Sequence, residues 1–205
     1  ARKGSKGVPH KNRQLVPLVI KSIRPEDHSS TILTSDDEEI LNYGARFDVK
    51  VRHRPDELSN DIATMKEVLL DVIKVFELKN ADILIVLYPT YPERKASDID
   101  DSLAFFKTHK LSSMLCKKDV KTHPYLCLLA DGDIGAKSLI EHSLYRRQDY
   151  PECFEICHFV CIAKVSEVGS LNSQLFNGKT GFYKIEHKID VDYQTDYVKF
   201  KQLEG

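Results

Sequence analysis

Five consecutive apolar residues, Ile83 to Leu87, constrain this chain more than any other feature. A strand with one face in water alternates apolar and polar residues. An unbroken run of strand length implies a strand covered on both faces, as helices cover a parallel sheet. Just upstream, Ile62, Met65, Val68, Leu69, Val72, Ile73 and Phe76 recur at steps of three and four. That is the spacing of one helix face. Ser59 or Asp61 stands where a cap would start this helix.

The same pattern repeats along the chain. Leu15–Ile23, Glu38–Phe47, the stretch marked by Ile99, Leu103 and Phe106, and Tyr193–Leu203 read as helices. Thr31–Thr34, Val49–Val51, Ser112–Cys116, Tyr125–Leu129, Phe154–Ile162 and Gly181–Ile185 read as strands. Helices that alternate with apolar strands define an α/β class with a mostly parallel sheet. The 205 residues suit one domain, residues 1–205. Such sheets bind ligands beyond the carboxyl ends of their strands. Given a strand upstream of Ala1, residues 1–12 and 88–94 occupy that position.

Composition removes several function classes. The formal net charge is -1, so no global field draws in nucleic acid or an anionic membrane. No apolar run approaches the ~20 residues that span a bilayer. No signal peptide is visible. The five cysteines are odd in number and form no CxxC pair, which fits a reducing cytoplasm better than a disulfide framework. Cys153, Cys157 and Cys161 lie four apart in a strand-like segment. Four residues of strand span ~13 Å, too far to share one ion, so these thiols read as small core residues.

Three segments carry chemistry. The opening, Arg2-Lys3-Gly4-Ser5-Lys6-Gly7-Val8-Pro9-His10-Lys11-Asn12, interleaves bases with glycines. Glycine admits backbone N–H groups close to phosphate oxygens, and lysine and arginine neutralise charge. It is not a Walker A loop, because no GKS or GKT follows the second glycine. These residues alone leave open a polyphosphate loop and a solvated basic terminus. Asp190-Val191-Asp192 would place two hard oxygen ligands on one face of a strand, a set that suits Mg²⁺. The alternative is a solvated strand end with Asp192 capping the last helix. Tyr145-Arg146-Arg147-Gln148-Asp149-Tyr150 offers two guanidinium forks and an amide, enough to hold a carboxylate or merely to solvate a loop.

The order of these segments resembles the acylneuraminate cytidylyltransferase (CMP-sialic acid synthetase) family. The opening Arg2-x-Gly4-Ser5-Lys6-Gly7-x-Pro9-x-Lys11-Asn12 is similar to that family's signature loop. In sequence order there follow Thr34-Ser35-Asp36, Arg54-Pro55-Asp56-Glu57-Leu58-Ser59-Asn60-Asp61, Tyr88-Pro89-Thr90-Tyr91-Pro92, Arg146-Arg147-Gln148-Asp149, and Asp190 with Asp192. The resemblance implies a Rossmann-like nucleotide-diphospho-sugar transferase fold. It also implies a homodimer in the cytoplasm, with residues 119–150 as an excursion that reaches the partner. The implied reaction transfers CMP from CTP to the anomeric hydroxyl of a sialic-acid-like 3-deoxy-2-ulosonic acid, with Mg²⁺, and releases pyrophosphate. Arg2, Ser5, Lys6, Lys11, Asn12 and Arg54 would then hold the nucleotide. Tyr88, Thr90, Arg147 and Gln148 would face the sugar acid. Asp190 and Asp192 would hold the metal, and with Arg2 and Lys11 would form the catalytic set. The chain departs from the family pattern at Tyr88 (glutamine in the sialic acid enzymes), at Tyr91 (a small residue), at Glu93-Arg94, and at Ile156-Cys157 (Asn-Gly). A tyrosine at 88 is reminiscent of the pseudaminic acid branch. The acid is of the N-acetylneuraminate, pseudaminate or legionaminate type; Kdo as substrate and a non-catalytic homologue that binds a nucleotide or nucleotide sugar are the alternatives.

Overall fold

A computed structural model describes residues 11–203. The chain runs α1 (Lys11–Ser22), β1 (Ile32–Ser35), α2 (Glu38–Gly44), β2 (Lys50–His53), α3 (Met65–Val75), β3 (Ile83–Val86) and α4 (Ala96–Thr108). It continues with β4 (Ser113–Asp119), β5 (Leu128–Asp131), β6 (Gly135–Ser138), β7 (Phe154–Lys164), α5 (Val165–Val168), β8 (Gly181–Lys184) and α6 (Gln194–Leu203).

The apolar run becomes β3, the first strand of a four-stranded sheet ordered β3-β7-β4-β8. Both its faces are covered, as the run requires. Leu84 and Val86 pack into a cluster with Leu69 of α3, Leu115 of β4 and Val168 of α5. Ile85 and Leu87 join the opposite cluster, with Phe106 of α4, Met114 and Cys116 of β4, and Phe159 of β7. One sheet thus lies between α4 on one side and α3 with α5 on the other. β3, β4 and β8 run in one direction, and β7 runs against them. The single reversal has a local cause. β7 follows β4 without a crossover helix, and strands joined that way pair antiparallel. β1 and β2 form a separate parallel pair. α1 and α2 pack together through Val16, Ile20 and Ile40.

Two sequence readings need correction. α3 starts at Met65, and its cap is Thr64 rather than Ser59 or Asp61. Thr64 Oγ1 accepts from Glu67 N, while Glu67 Oε2 accepts from Thr64 N at 2.7 Å. This reciprocal pair satisfies two helix-end donors at once, so it outcompetes the upstream candidates. Ile62, counted on the apolar face, is 90% exposed. Second, the strand expected over 125–129 is a 3-10 turn at Pro124–Leu126 followed by a hairpin, β5–β6.

That hairpin lies within the segment expected to form an excursion. Asp119 of β4 pairs with Phe154 of β7, so everything between leaves and re-enters the sheet at one point. Tyr125, His142 and Tyr150 stack against one another at its base, with Tyr125 and His142 rings 4.1 Å apart. Leu128, Ile134 and Tyr145 stand exposed beyond them.

Thr64→Ala should cost about 1 kcal/mol of stability through loss of the cap. Ile62→Ser should stay within about 0.5 kcal/mol, as exposed substitutions do. Urea unfolding of the two variants, side by side, checks where the helix begins.

Candidate functional site

β3 ends just before Tyr88, and the chain turns at Pro89 and Pro92. After β8 the chain is irregular until α6. These two segments meet. Val191 N donates to Thr90 O at 2.8 Å. Ile189 N donates to Glu93 Oε2 at 2.6 Å. Tyr91 Oη donates to Asp190 Oδ2 at 2.7 Å. Between the two aspartates, Val191 is fully buried against Leu15 of α1 and Phe200 of α6. One apolar residue therefore seats the Asp-x-Asp segment on two helices, and three hydrogen bonds tie it to the turn after β3.

The aspartates are not on a strand, and their surroundings differ. Asp190 Oδ1 is buried and has no hydrogen-bond partner, while its Oδ2 takes the Tyr91 hydroxyl. The Asp192 side chain is 60% exposed and lies 3.4 Å from Lys11 Nζ. Lys11 also donates to Val191 O at 2.8 Å, so the first turn of α1 reaches this segment directly. The role of helix cap, left open for Asp192, falls elsewhere. Asp196 Oδ2 accepts from Tyr193 N at 2.9 Å and from Asp192 N at 3.3 Å. The Asp192 carboxylate is thereby left for other work.

A buried carboxylate oxygen without a donor is costly unless something positive faces it. An orphaned oxygen beside a second, exposed carboxylate is the donor set a hard divalent cation accepts, with waters and phosphate completing its shell. Asp190 and Asp192 therefore fit Mg²⁺. Among the described residues no group of three or more His, Cys, Asp or Glu could hold a metal.

The turn after β3 is anchored from below by Arg94, which is 4% exposed. Its Nε donates to Phe159 O and its Nη2 to Tyr88 O, each at 2.9 Å. Its Nη1 is buried without a partner, and no ion pair with a carboxylate is present among the described residues. Burial pulls this guanidinium down to about 10. Burial pushes the Tyr88 and Tyr91 phenols well above their ordinary value, so both remain donors. Tyr88 packs its ring 5.2 Å from His158 of β7.

Other expected residues are distributed more widely. Asn12 is exposed in the first turn of α1. Arg54 is tied to the end of β1, with Nη2 on Thr34 O at 2.9 Å and Nε on Thr34 Oγ1 at 3.4 Å. Burial lowers its pKa. Asp37 caps α2 through Glu39 N and takes the Arg13 guanidinium at 2.6 Å, which holds its carboxyl below the usual range. Arg147 and Gln148 are exposed in a 3-10 turn of the excursion. No hydrogen bond or ion pair among the described residues joins them to Tyr88 or Thr90. Arg2, Ser5 and Lys6 lie outside the described residues. Sequence reasoning gave no role to Tyr91, Glu93 and Arg94. For Tyr91 and Glu93 the signal was there, because each sits at a position where this chain departs from the family pattern it otherwise follows.

Comparison with known proteins gives relatives of one kind. The chain is 25% identical, over 210 aligned positions, to the N-acylneuraminate cytidylyltransferase of Streptococcus agalactiae serotype V, covering 97% of this chain and 50% of that protein. It is 25% identical to N-acylneuraminate cytidylyltransferase B of Danio rerio, covering 96% and 48%. The chain thus spans about half the length of the curated relatives it matches. No family model matches it. Among solved structures it superimposes on a CMP:2-keto-3-deoxy-manno-octonic acid synthetase complexed with CTP, with a TM-score of 0.65 at 15% identity, covering 100% of this chain and 95% of that one. It also superimposes on the 4-diphosphocytidyl-2C-methyl-D-erythritol synthase of Anaerococcus prevotii, with a TM-score of 0.58 at 14% identity and the same coverage. The fold is that of the sugar nucleotidyltransferases, Rossmann-like in its layering. The resemblance to N-acylneuraminate cytidylyltransferases runs through nearly the whole chain.

Arg94→Met removes the donors to two backbone carbonyls and leaves the apolar stem. It should lower stability by roughly 2 kcal/mol, because lost donors outweigh the relief of an unpaired cation. Chemical denaturation of the variant is the check.

Proposed function

We propose that this chain is a CTP-dependent cytidylyltransferase. It transfers CMP from CTP to the anomeric hydroxyl of a sialic-acid-like 3-deoxy-2-ulosonic acid and releases pyrophosphate. The observation that carries this reading is the unpartnered, buried Asp190 Oδ1 beside exposed Asp192, at the first turn of α1. The collinear resemblance to N-acylneuraminate cytidylyltransferases supplies the nucleotide and the acceptor class. The structural neighbour that holds CTP supports the same nucleotide.

In the reaction the anomeric oxygen forms a bond to the α-phosphorus, and the bond from that phosphorus to the bridging oxygen breaks. Pyrophosphate departs with the electron pair, and the hydroxyl proton passes to water. Such transfers depend on alignment and on charge neutralisation more than on covalent chemistry by the protein. Arg2, Ser5, Lys6 and Lys11 would hold the triphosphate, with Asn12 and Arg54 placing the nucleotide. The positive end of the α1 dipole also favours phosphate at the first turn of α1. Asp190 and Asp192 would hold Mg²⁺, which neutralises phosphate charge and acidifies the hydroxyl it touches. Tyr88 and Thr90 would face the sugar from the turn after β3. Arg147 and Gln148 would meet its carboxylate from the excursion.

Arg147 and Gln148 lie on the excursion, with no hydrogen bond or ion pair to Tyr88 or Thr90 among the described residues. This fits a homodimer in which residues 119–150 of each copy reach the other's site. The exposed Leu128, Ile134 and Tyr145 give that excursion an apolar surface. The free cysteines are consistent with a cytoplasmic protein. No described helix is long and apolar enough to cross a membrane.

Pyrophosphate release from CTP and Mg²⁺, with N-acetylneuraminic, pseudaminic, legionaminic and Kdo acids offered separately, tests the reaction and names the acceptor. Release with a nine-carbon acid is expected, and Asp190→Ala or Asp192→Ala should each lower turnover at least about 100-fold. Release with Kdo alone would move the acceptor to the eight-carbon class. CTP binding without release on any acid would make the protein a non-catalytic homologue.

A further inference from the structure

The residue at 91 is where this chain differs from the pattern it follows and where the structure concentrates contacts. Tyr91 is 3% exposed and stacks edge-on against Phe159, with ring centroids 5.6 Å apart. Its hydroxyl donates to Asp190 Oδ2 at 2.7 Å. The same hydroxyl accepts from Cys157 Sγ at 3.5 Å. Cys157 is itself buried and stands at the other departure, on β7. The chain of donors therefore runs from thiol to phenol to carboxylate, and it joins two substitutions far apart in sequence.

The geometry decides what this chain does. A carboxylate with two free oxygens can rotate and can present either oxygen, or both, to a cation. Here Oδ2 accepts from a phenol whose ring is buried with Phe159 in the core cluster, which sets how the carboxylate is turned. Oδ1 is buried and accepts no hydrogen bond. Carboxylates that ligate metals are held in this way by outer donors, and loss of such a donor typically weakens metal affinity about 10- to 100-fold.

We infer that Tyr91 is a positioning residue that fixes the orientation in which the Asp190 carboxylate is offered to the metal. This rests on the reading of Asp190 as a metal ligand given above. Tyr91 is buried and offers its hydroxyl to Asp190. It acts through Asp190, and it replaces adaptability in that carboxylate with a single presentation.

The test separates the inference from the reading beneath it, and it does not depend on turnover. CTP affinity is measured by calorimetry in Mg²⁺ and again in EDTA, for the wild type, Tyr91→Phe and Asp190→Asn. The ratio of the two affinities is the factor by which Mg²⁺ and CTP strengthen each other's binding. The ring remains in Tyr91→Phe, so affinity in EDTA should match the wild type within about twofold while the Mg²⁺ factor falls about tenfold. Asp190→Asn should abolish the factor. An undiminished factor in Tyr91→Phe, with Asp190→Asn still abolishing it, overturns the inference and leaves the metal ligand in place. Equal loss of affinity in EDTA and in Mg²⁺ for Tyr91→Phe makes the residue structural and also overturns it. A wild type whose CTP affinity ignores Mg²⁺ removes the ligand role of Asp190 and the inference with it.

Discussion

The backbone hydrogen bond from Val191 to Thr90 is the contact on which the rest of the site depends. It is supported by the burial of Val191 between α1 and α6. With it, a segment that belongs to no helix or strand is held against the turn after β3. The turn carries the candidate sugar contacts, the segment carries the carboxylates, and Lys11 brings the first turn of α1. Glu93 and Tyr91 add a bond on each side of that contact. Arg94 fastens the turn to β7 from beneath.

Sheet layering explains why a site forms here. β3 packs Leu84 and Val86 into one cluster and Ile85 and Leu87 into the other, and its strand pairing ends at Val86, just before the turn. Two prolines then fix the direction of the turn, since each ring locks its own φ and restricts the residue before it. A buried arginine serves this anchoring because its planar fork satisfies two carbonyls at once. Its third nitrogen is buried without a partner.

Much of the architecture was legible in the sequence because its signals are periodic. The run at 83–87 and the three-and-four spacing at 62–76 gave β3 and α3, and with them the α/β class. Strand direction was not legible for β7, since an apolar strand reads the same both ways and only its connection reveals the pairing. The α3 boundary failed at Ile62 because periodicity alone was extended past a capping box that the sequence did contain, Thr64 with Glu67. The hairpin β5–β6 escaped because its residues are exposed, and no buried face imposes a pattern on them.

The candidate site was legible in a different way. Asp190 and Asp192 came from spacing and from resemblance, yet their unlike surroundings depend on contacts 99 and 181 residues away along the chain, which no local pattern carries. Tyr91 and Glu93 were visible only as departures, and their work emerges once the turn meets the Asp-x-Asp segment. The most direct measurement is a crystal structure of the protein with CTP and Mn²⁺, using the manganese anomalous signal to locate the cation. The account predicts one peak at about 2.2 Å from Asp190 Oδ1, within reach of the Asp192 carboxylate and a phosphate oxygen. A cation bound to the nucleotide but remote from both aspartates would contradict it.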